Sequence, residues 1–167
     1  MKKYVLDLQV SAVEHPNSKY TLIKLTDKEP LPQMLPGQFV EVRVDGSPTT
    51  FLRRPISINY VDRERNEMWL LVAAIGDGTR ALARLKTGDT LNCVLPLGNS
   101  FTMPASQTDK VLLVGGGVGV APLLFFGQRL KDSGITPTFL LGVRSAADLL
   151  EYDMFSQTGR VLVTTED

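Results

Sequence analysis

The sequence predicts a six-stranded antiparallel β-barrel followed by the N-terminal part of a parallel α/β domain. Up to residue 102, short segments alternate between apolar and polar residues and are separated by turn formers, which is typical of half-buried strands. After residue 103, a continuous apolar segment runs into a glycine cluster and then into an apolar helix, which is the order of a βαβ unit. We therefore expect two domains, residues 1–102 and 103–167, joined at the polar stretch 104–109.

The first domain contains six segments with the strand pattern, at residues 4–12, 20–25, 40–44, 55–60, 68–74 and 90–95. Their number and spacing favour a closed or nearly closed barrel. A short helix is predicted at about 79–85, with Thr79 as its N-cap. His15 falls in a predicted turn, Trp69 is expected to be a packing residue, and Cys93 shares a strand face with two leucines as a core thiol.

The second domain is predicted to contain three strands, at residues 111–114, 138–142 and 160–165. A helix begins near Pro122, a residue suited to the first helical turn, and ends around 132–134. Ser145 and Asp148 resemble the N-terminal capping pair of another helix, on which Glu151 and Asp153 are expected to be solvated. The sequence ends just after the third strand, so we expect an incomplete domain whose sheet has unpaired edges.

Composition excludes several kinds of partner and site. Eighteen Lys plus Arg balance eighteen Asp plus Glu, so no net charge favours nucleic acid or an anionic membrane. Neither a signal-peptide core nor an apolar run long enough to span a bilayer is visible, which predicts a cytoplasmic protein. The single cysteine excludes an internal disulfide and a four-cysteine iron–sulfur or zinc site within these residues, so no metal ligands are predicted.

The segment 51–58, Phe-Leu-Arg-Arg-Pro-Ile-Ser-Ile, is the first that suggests chemistry. It places Arg53 and Arg54 at a strand entrance, with Ser57 three residues further on. A guanidinium fork there can reach phosphate oxygens while the hydroxyl reaches into an adjoining cleft. Read alone, the segment is better explained as a solvated strand end.

The segment 74–80, Ala-Ile-Gly-Asp-Gly-Thr-Arg, lies between a strand and the short helix. Its glycines allow a close approach of the backbone to a ligand, and amides of a first helical turn can bind an anion. Gly78 and Thr79 are the predicted pyrophosphate contacts. The alternative is an ordinary glycine turn with a threonine cap.

The segment 114–123, Val-Gly-Gly-Gly-Val-Gly-Val-Ala-Pro-Leu, lies between a buried strand and a helix start, where nucleotide-binding loops occur. It departs from the dinucleotide pattern G-x-G-x-x-G and instead contains G-x-G-x-x-P, at Gly117, Gly119 and Pro122. A loop of this composition favours nucleotide binding over a mere tight turn.

The order of these motifs resembles that of the ferredoxin–NADP reductase superfamily, in which an FAD-binding barrel precedes a nicotinamide-binding α/β domain. The usual flavin motif there is Arg-x-Tyr-Ser, whereas this chain has Ile56 in place of the aromatic residue between Arg54 and Ser57. Together, the three segments resemble the electron transfer subunits of NAD-linked, two-component dihydroorotate dehydrogenases.

The resemblance implies a role for each matching position. Arg54 would pair with the FAD pyrophosphate, and Ser57, the one catalytic candidate, would form a hydrogen bond near the reactive edge of the flavin. The remaining implied cofactor contacts are Pro55 and Ile56 in the flavin motif; Leu71, Val72 and Ala73 along FAD; Gly78 and Thr79 at its phosphates; Gly115, Gly116, Gly117, Val118, Gly119 and Pro122 at the nicotinamide; and Gly142 and Arg144 at the adenosine part of NADH.

The function implied by the resemblance is electron transfer in pyrimidine biosynthesis. NADH would reduce FAD, and a [2Fe-2S] cluster, expected only in a C-terminal region absent from this chain, would pass electrons to a catalytic FMN subunit in a heterotetramer. A related NAD(P)H-dependent ferredoxin or sulfide reductase subunit, and a non-catalytic nucleotide-binding module, remain as alternatives. No residue pattern decides between NADH and NADPH.

Overall fold

The first part of the fold is a closed antiparallel barrel. The computed structural model describes residues 2–167. The barrel strands are β1 (Tyr4–Asn17), β2 (Tyr20–Thr26), β3 (Phe39–Val42), β4 (Arg54–Asp62), β5 (Glu67–Ala73) and β6 (Thr90–Leu97). They pair in the order β1-β2-β5-β4-β3-β6, and β6 pairs with β1 to close the barrel, which leaves no strand edge unpaired.

The β1–β2 hairpin is longer than predicted. β1 continues to Asn17, which pairs with Tyr20 across a tight turn at Ser18 and Lys19. The prediction that His15 lies in a turn is therefore wrong, and its Nδ1 lies 3.1 Å from Thr21 Oγ1. The register shifts between Glu14 and Asn17, where Pro16 has no N–H to donate to the ladder. Because of this irregularity, the sequence pattern did not predict the last part of the strand.

The short helix α1 (Asp77–Leu82) begins earlier than predicted. Its N-cap is Gly76, so the assignment of Thr79 as N-cap is wrong. Thr79 is the third helical residue, and its Oγ1 accepts hydrogen bonds from the backbone amides of Ile75 and Gly76 at 3.1 and 3.0 Å. The Thr79 hydroxyl therefore satisfies backbone amides before the helix from the third helical position, as in a capping box, and Thr79 is not the N-cap residue itself.

The second part of the fold is a parallel sheet, β7 (Leu112–Gly116), β8 (Thr138–Val143) and β9 (Arg160–Thr165), in that order. Helix α2 (Ala121–Asp132), with Pro122 in its first turn, connects β7 to β8, and α3 (Tyr152–Thr158) precedes β9. Barrel and parallel sheet confirm the predicted fold class. The domain boundary predicted at residue 103 falls between the two sheets and remains a prediction.

The predicted capping pair before α3 is wrong. Ser145 precedes a single 3-10 turn, Ala146–Asp148, and its side chain makes no capping hydrogen bond. Both carboxylate oxygens of Asp148 instead accept hydrogen bonds from Lys19 Nζ at 2.8 Å. The helix begins only after Glu151, which has a left-handed backbone with φ of 52°.

Two hydrophobic clusters stabilise this arrangement. One fills the barrel and includes Cys93, which is fully buried, as predicted; burial raises the pKa of its thiol to about 12. The other joins the outer wall of the barrel, including Trp69 and Leu71, to Leu124 of α2 and Phe139 of β8. Trp69 is therefore a packing residue, as predicted, and burial of apolar side chains holds the two parts together.

The helices cover one face of the parallel sheet. On the opposite face Leu112, Val114 and Leu162 are exposed. Among the described residues no helix is both long and apolar enough to cross a membrane.

Candidate functional site

Two adjoining cavities lie where the barrel meets the α/β part. Their volumes are about 870 and 750 Å³, each large enough for a sizeable ligand. Ala73 and Ile75 from the end of β5, and Val118 from the glycine loop after β7, line both cavities. A ligand in one cavity would therefore lie next to a ligand in the other.

The first cavity contains all of the site residues predicted on the barrel. Ser57 and Val118 face it from opposite parts of the molecule, the first from β4 and the second from the glycine loop. The predicted site residues that line it are Arg54, Pro55, Ile56, Ser57, Leu71, Val72, Ala73, Gly78, Thr79, Val118, Gly119 and Pro122.

The two neighbouring arginines have different roles. The Arg53 guanidinium donates to the backbone carbonyl of Asn92 at 3.1 Å and to the Asn92 side chain, which fixes it against the barrel. The Arg54 side chain is exposed, lines the first cavity and has no hydrogen-bond or ion-pair partner within residues 2–167. Of these two arginines, only Arg54 is therefore available to bind an anion.

Gly78 forms a wall of the first cavity at the start of α1 and is buried. A Cβ at this position would lie 3.1 Å from Thr50 Cγ2, too close for an undisturbed contact. The backbone here can be approached because no side chain stands in front of it, as in loops that bind phosphate.

An acidic residue of the same wall, Asp77, is paired with its neighbours. Asp77 accepts hydrogen bonds from Thr49 Oγ1 at 2.8 Å and from Arg80 Nη2 at 3.0 Å, and these contacts lower the pKa of its carboxyl group. Asp77 is therefore ionised but paired, and its charge opposes an anion near Arg54 less than a free carboxylate would.

The glycine loop divides its residues between the two cavities. Gly116, Gly117 and Val118 line the second cavity. Gly117 has φ of +52°, a conformation that glycine adopts without strain. The loop then enters a 3-10 turn, Gly117–Val120, that leads directly into α2.

Gly115 lies outside both cavities, which does not support its predicted contact with a cofactor. A Cβ there would lie 2.8 Å from Leu123 Cδ1 and 3.2 Å from the Cα of Val120. The glycine is needed because β7 and the start of α2 pack closely at this point.

The second cavity contains both residues predicted at the end of β8, Gly142 and Arg144. The Arg144 side chain is exposed and has no partner within the described chain. Thr164, Thr165 and Glu166 form the wall at the end of β9.

The barrel contributes residues to the second cavity that sequence reasoning missed. Lys19 and Tyr20, at the tip of the β1–β2 hairpin, line it together with Asp148. Asn17 Nδ2 also donates to the carbonyl of Ala147 at 3.2 Å. No local pattern marks these residues, because each contact joins positions about 130 apart in the chain.

The site's chemistry is that of ligand binding. Within residues 2–167 there is no group of three or more His, Cys, Asp or Glu side chains placed to hold a metal ion. An unpaired arginine, exposed backbone at two glycine segments and mainly aliphatic walls suit ligands with phosphates and flat, largely apolar rings.

No family model matches the chain. It is 43% identical over 133 residues to a protein of Shouchella clausii named dihydroorotate dehydrogenase B (NAD(+)), electron transfer subunit, a match that covers 79% of this chain and 51% of the relative. The same name is given to relatives from Bacillus mycoides, 39% identical, and Geobacillus kaustophilus, 37% identical, which cover 79% of this chain and 51% and 52% of the relatives. This chain is homologous to these electron transfer subunits. It spans about half the length of the curated relatives it matches.

Solved structures agree with this homology. An NADH-dependent reduced ferredoxin–NADP oxidoreductase superposes with a TM-score of 0.83 at 28% identity, covering 95% of this chain and 56% of that protein. Phthalate dioxygenase reductase superposes with a TM-score of 0.78 at 22% identity, covering 97% of this chain and 52% of that protein. A Neisseria gonorrhoeae ferredoxin NADP+ reductase superposes with a TM-score of 0.76 at 19% identity, covering 96% of this chain and 68% of that protein. This chain therefore has the fold of these ferredoxin–NADP reductase-like proteins.

Proposed function

We propose that this chain is the FAD- and NADH-binding part of a dihydroorotate dehydrogenase electron transfer subunit, and so part of an FAD-dependent NAD(P)H oxidoreductase. The observation that carries the proposal is the pair of adjoining cavities, one lined by Arg54 and Ser57 and the other by the glycine loop, with Val118 common to both. Electron transfer between two bound rings needs this adjacency.

The residues of the first cavity fit FAD. Arg54, which has no partner in the described chain, would pair with the pyrophosphate, and Gly78 and Thr79 would present backbone to it. Aliphatic residues from 71 to 73 and Ile56 supply a wall for a flat ring system. Ser57 is proposed to donate a hydrogen bond to the ring.

The residues of the second cavity fit NADH. Gly116 and Gly117 would let the backbone approach the nicotinamide half, while Gly142, which pairs with Gly116 across β7 and β8, and Arg144 beyond it would contact the adenosine half. When both are bound, flavin and nicotinamide supply the hydride chemistry themselves. The chain's task is to hold the rings together and to keep water out with residues such as Ile75 and Val118.

The proposed electron acceptor is the catalytic FMN subunit, in a cytoplasmic heterotetramer that serves pyrimidine biosynthesis. The names of the homologous subunits support this acceptor. A [2Fe-2S] cluster requires four ligands, and the one cysteine of this chain is a buried thiol with a raised pKa. The residues present therefore do not fit the cluster, and we assign it no step in this chain.

A spectrum tests the flavin part of the proposal. The purified chain, incubated with FAD and freed of excess by gel filtration, should keep flavin absorption, and anaerobic NADH should bleach it. Arg54→Ala should weaken FAD retention about tenfold or more, because a charge-assisted phosphate contact is lost. The control is Arg63→Ala, because Arg63 lies outside both cavities. Arg53→Ala is not suitable as a control, because Arg53 supports the barrel.

Absence of flavin binding would reject the reductase function and favour a non-catalytic nucleotide-binding module. A second candidate, a ferredoxin-linked NAD(P)H reductase subunit, is favoured by the likeness to the NADH-dependent ferredoxin–NADP oxidoreductase. Copurification decides between this second candidate and the proposed function, since the proposed function requires a partner protein that produces orotate.

A further inference from the structure

A buried amide of the barrel binds two elements of the α/β part at once. Asn59 lies on β4, two residues beyond Ser57, and is fully buried. Its Nδ2 donates to the backbone carbonyl of Ala121, the first residue of α2, at 3.0 Å, and to Glu151 Oε2, immediately before α3, at 2.9 Å. Since both partners are acceptors, the nitrogen of the amide must be the atom that faces them.

Two buried oxygen atoms of this pair have no hydrogen-bond partner among the described residues. Asn59 Oδ1 and Glu151 Oε1 are both buried, and neither has a hydrogen-bond partner within residues 2–167. If Glu151 is ionised, both atoms are acceptors and neither can satisfy the other. A single proton on the carboxyl group changes this, because a carboxylic acid can donate to the amide oxygen while its other oxygen accepts from the amide nitrogen.

The backbone is irregular at both residues. Glu151 has φ of 52°, which is uncommon and sterically costly for a residue with a side chain. The pairing of β4 with β5 shifts register between Ile58 and Tyr60, so Asn59 is the extra residue of a β-bulge. Bulges next to functional sites often redirect a side chain, and here the two irregularities bring two polar groups together.

The surroundings favour the neutral acid. Burial is the largest influence and raises the pKa of Glu151 to about 7; the charge of Glu14 on β1 acts in the same direction. The Asn59 hydrogen bond and the charge of Lys24 on β2 oppose it. Lys24 is itself paired with Glu14 at 2.6 Å, so the opposite charges of these two residues largely offset each other at Glu151, and burial decides the direction of the shift.

We infer that Glu151 is held as a neutral carboxylic acid whose hydroxyl donates to Asn59 Oδ1, and that this acid–amide pair positions the glycine loop and α2 against the strand that carries Ser57. Glu151 and Asn59 are positioning residues, since neither lines a cavity. Ala121, which Asn59 holds, does line the first cavity.

The consequence for hydride transfer rests on the proposed function. The pair holds Ala121, which lines the first cavity, against the strand that carries Ser57. Small misplacements of reacting rings reduce rates strongly. The folded state keeps a proton that a free glutamate loses, so the pair's stabilisation is complete at low pH and is lost as pH rises through about 7.

The protonation of Glu151 is tested without any cofactor. Glu151→Gln keeps the shape of the side chain and can both donate to and accept from Asn59, but it cannot titrate. The control is Asp153→Asn, which removes an exposed carboxyl group two residues further on, in the first turn of α3. An infrared spectrum at about pH 6 should contain the carbonyl band of a buried protonated carboxyl group, absent from Glu151→Gln and present in the control.

Thermal unfolding across pH is the second cofactor-free measurement. From about pH 5 to about pH 8, the melting temperature of the wild type should fall relative to that of Glu151→Gln, while Asp153→Asn follows the wild type. A missing band, or the same pH profile for the wild type and Glu151→Gln, would overturn the inference.

The positioning role is tested with the flavin-loaded protein. The rate of flavin reduction by saturating NADH should fall as pH rises through about 7 in the wild type and stay constant in Glu151→Gln. Asn59→Leu should slow it about tenfold or more at every pH. Equal rates in Asn59→Leu and the wild type would reject the positioning role, and failure of NADH to reduce wild-type flavin would reject the proposed function while the cofactor-free results still decide the proton.

Discussion

Gly78 packs directly against Arg54: a Cβ at position 78 would lie 3.3 Å from Arg54 Cδ. The contact joins the start of α1 to the start of β4, the two elements that form the proposed phosphate site. It also explains why a glycine is required there, since any side chain would push the arginine aside.

Gly78→Ala should therefore weaken FAD binding more than it affects the fold. The added methyl group displaces Arg54 and Thr50, and overpacking of this kind costs about 1–3 kcal/mol. We expect FAD affinity to fall about tenfold, measured by fluorescence titration. Thr50→Ser removes the Cγ2 atom that the new methyl meets at 3.1 Å, so the double variant should recover part of the affinity. Full FAD affinity in the single variant would contradict this packing.

The ion pair between Lys19 and Asp148 fixes the β1–β2 hairpin beside the second cavity. Asp148 is 8% exposed, so Lys19→Met leaves a nearly buried carboxylate without its partner. Because the lysine is more than half exposed, we expect a loss of only about 1 kcal/mol in the free energy of unfolding, measured with urea.

A double-mutant cycle separates the pair from general effects of the substitution. Asp148→Asn in the Lys19→Met background should cost less than it does alone, whereas Lys28→Met, at an exposed lysine, should change nothing measurable. Strictly additive effects would mean that the ion pair does not stabilise the hairpin.

Short motifs made much of the site predictable. Arg54, Ser57 and Gly78 could be recognised because each lies in a contiguous segment whose strand or helix start directs it into the same cavity. Alternation of apolar residues likewise predicted the barrel, since the period of a strand is local information.

Contacts between distant residues could not be predicted in this way. Lys19 and Asp148 are 129 positions apart, and Asn59 and Glu151 are 92 apart. Glu151 reads as a solvated helix residue in the sequence, and this prediction is wrong because its carboxyl group is buried at the junction with the barrel, where it accepts a hydrogen bond from Asn59. The prediction that the neighbouring Asp153 is exposed is confirmed.

Gly127, in the middle of α2, should be intolerant of alanine. A Cβ there would lie 2.9 Å from Phe139 Cε1 and 3.1 Å from Thr158 Cγ2, between β8 and α3. Alanine favours a helix over glycine by about 1 kcal/mol, but overpacking outweighs this gain, and we expect a net loss of about 1–2 kcal/mol in urea unfolding. Arg129→Ala, at an exposed position of the same helix, is the control. A more stable Gly127→Ala variant would contradict the close packing of α2 on the sheet.

Cys93 should not react with thiol reagents while the chain is folded. Burial raises the pKa of the thiol to about 12, so at pH 8 only about one molecule in 10⁴ carries a thiolate, and the sulfur is shielded inside the barrel. Because the chain has one cysteine, labelling with a chromogenic disulfide reports this site alone. We expect no labelling of the native protein from about pH 7 to about pH 9 and one thiol per chain in denaturant. Rapid stoichiometric labelling at pH 8 without denaturant would show that the barrel opens readily around β6, and the closed barrel would then be a poor description of the protein in solution.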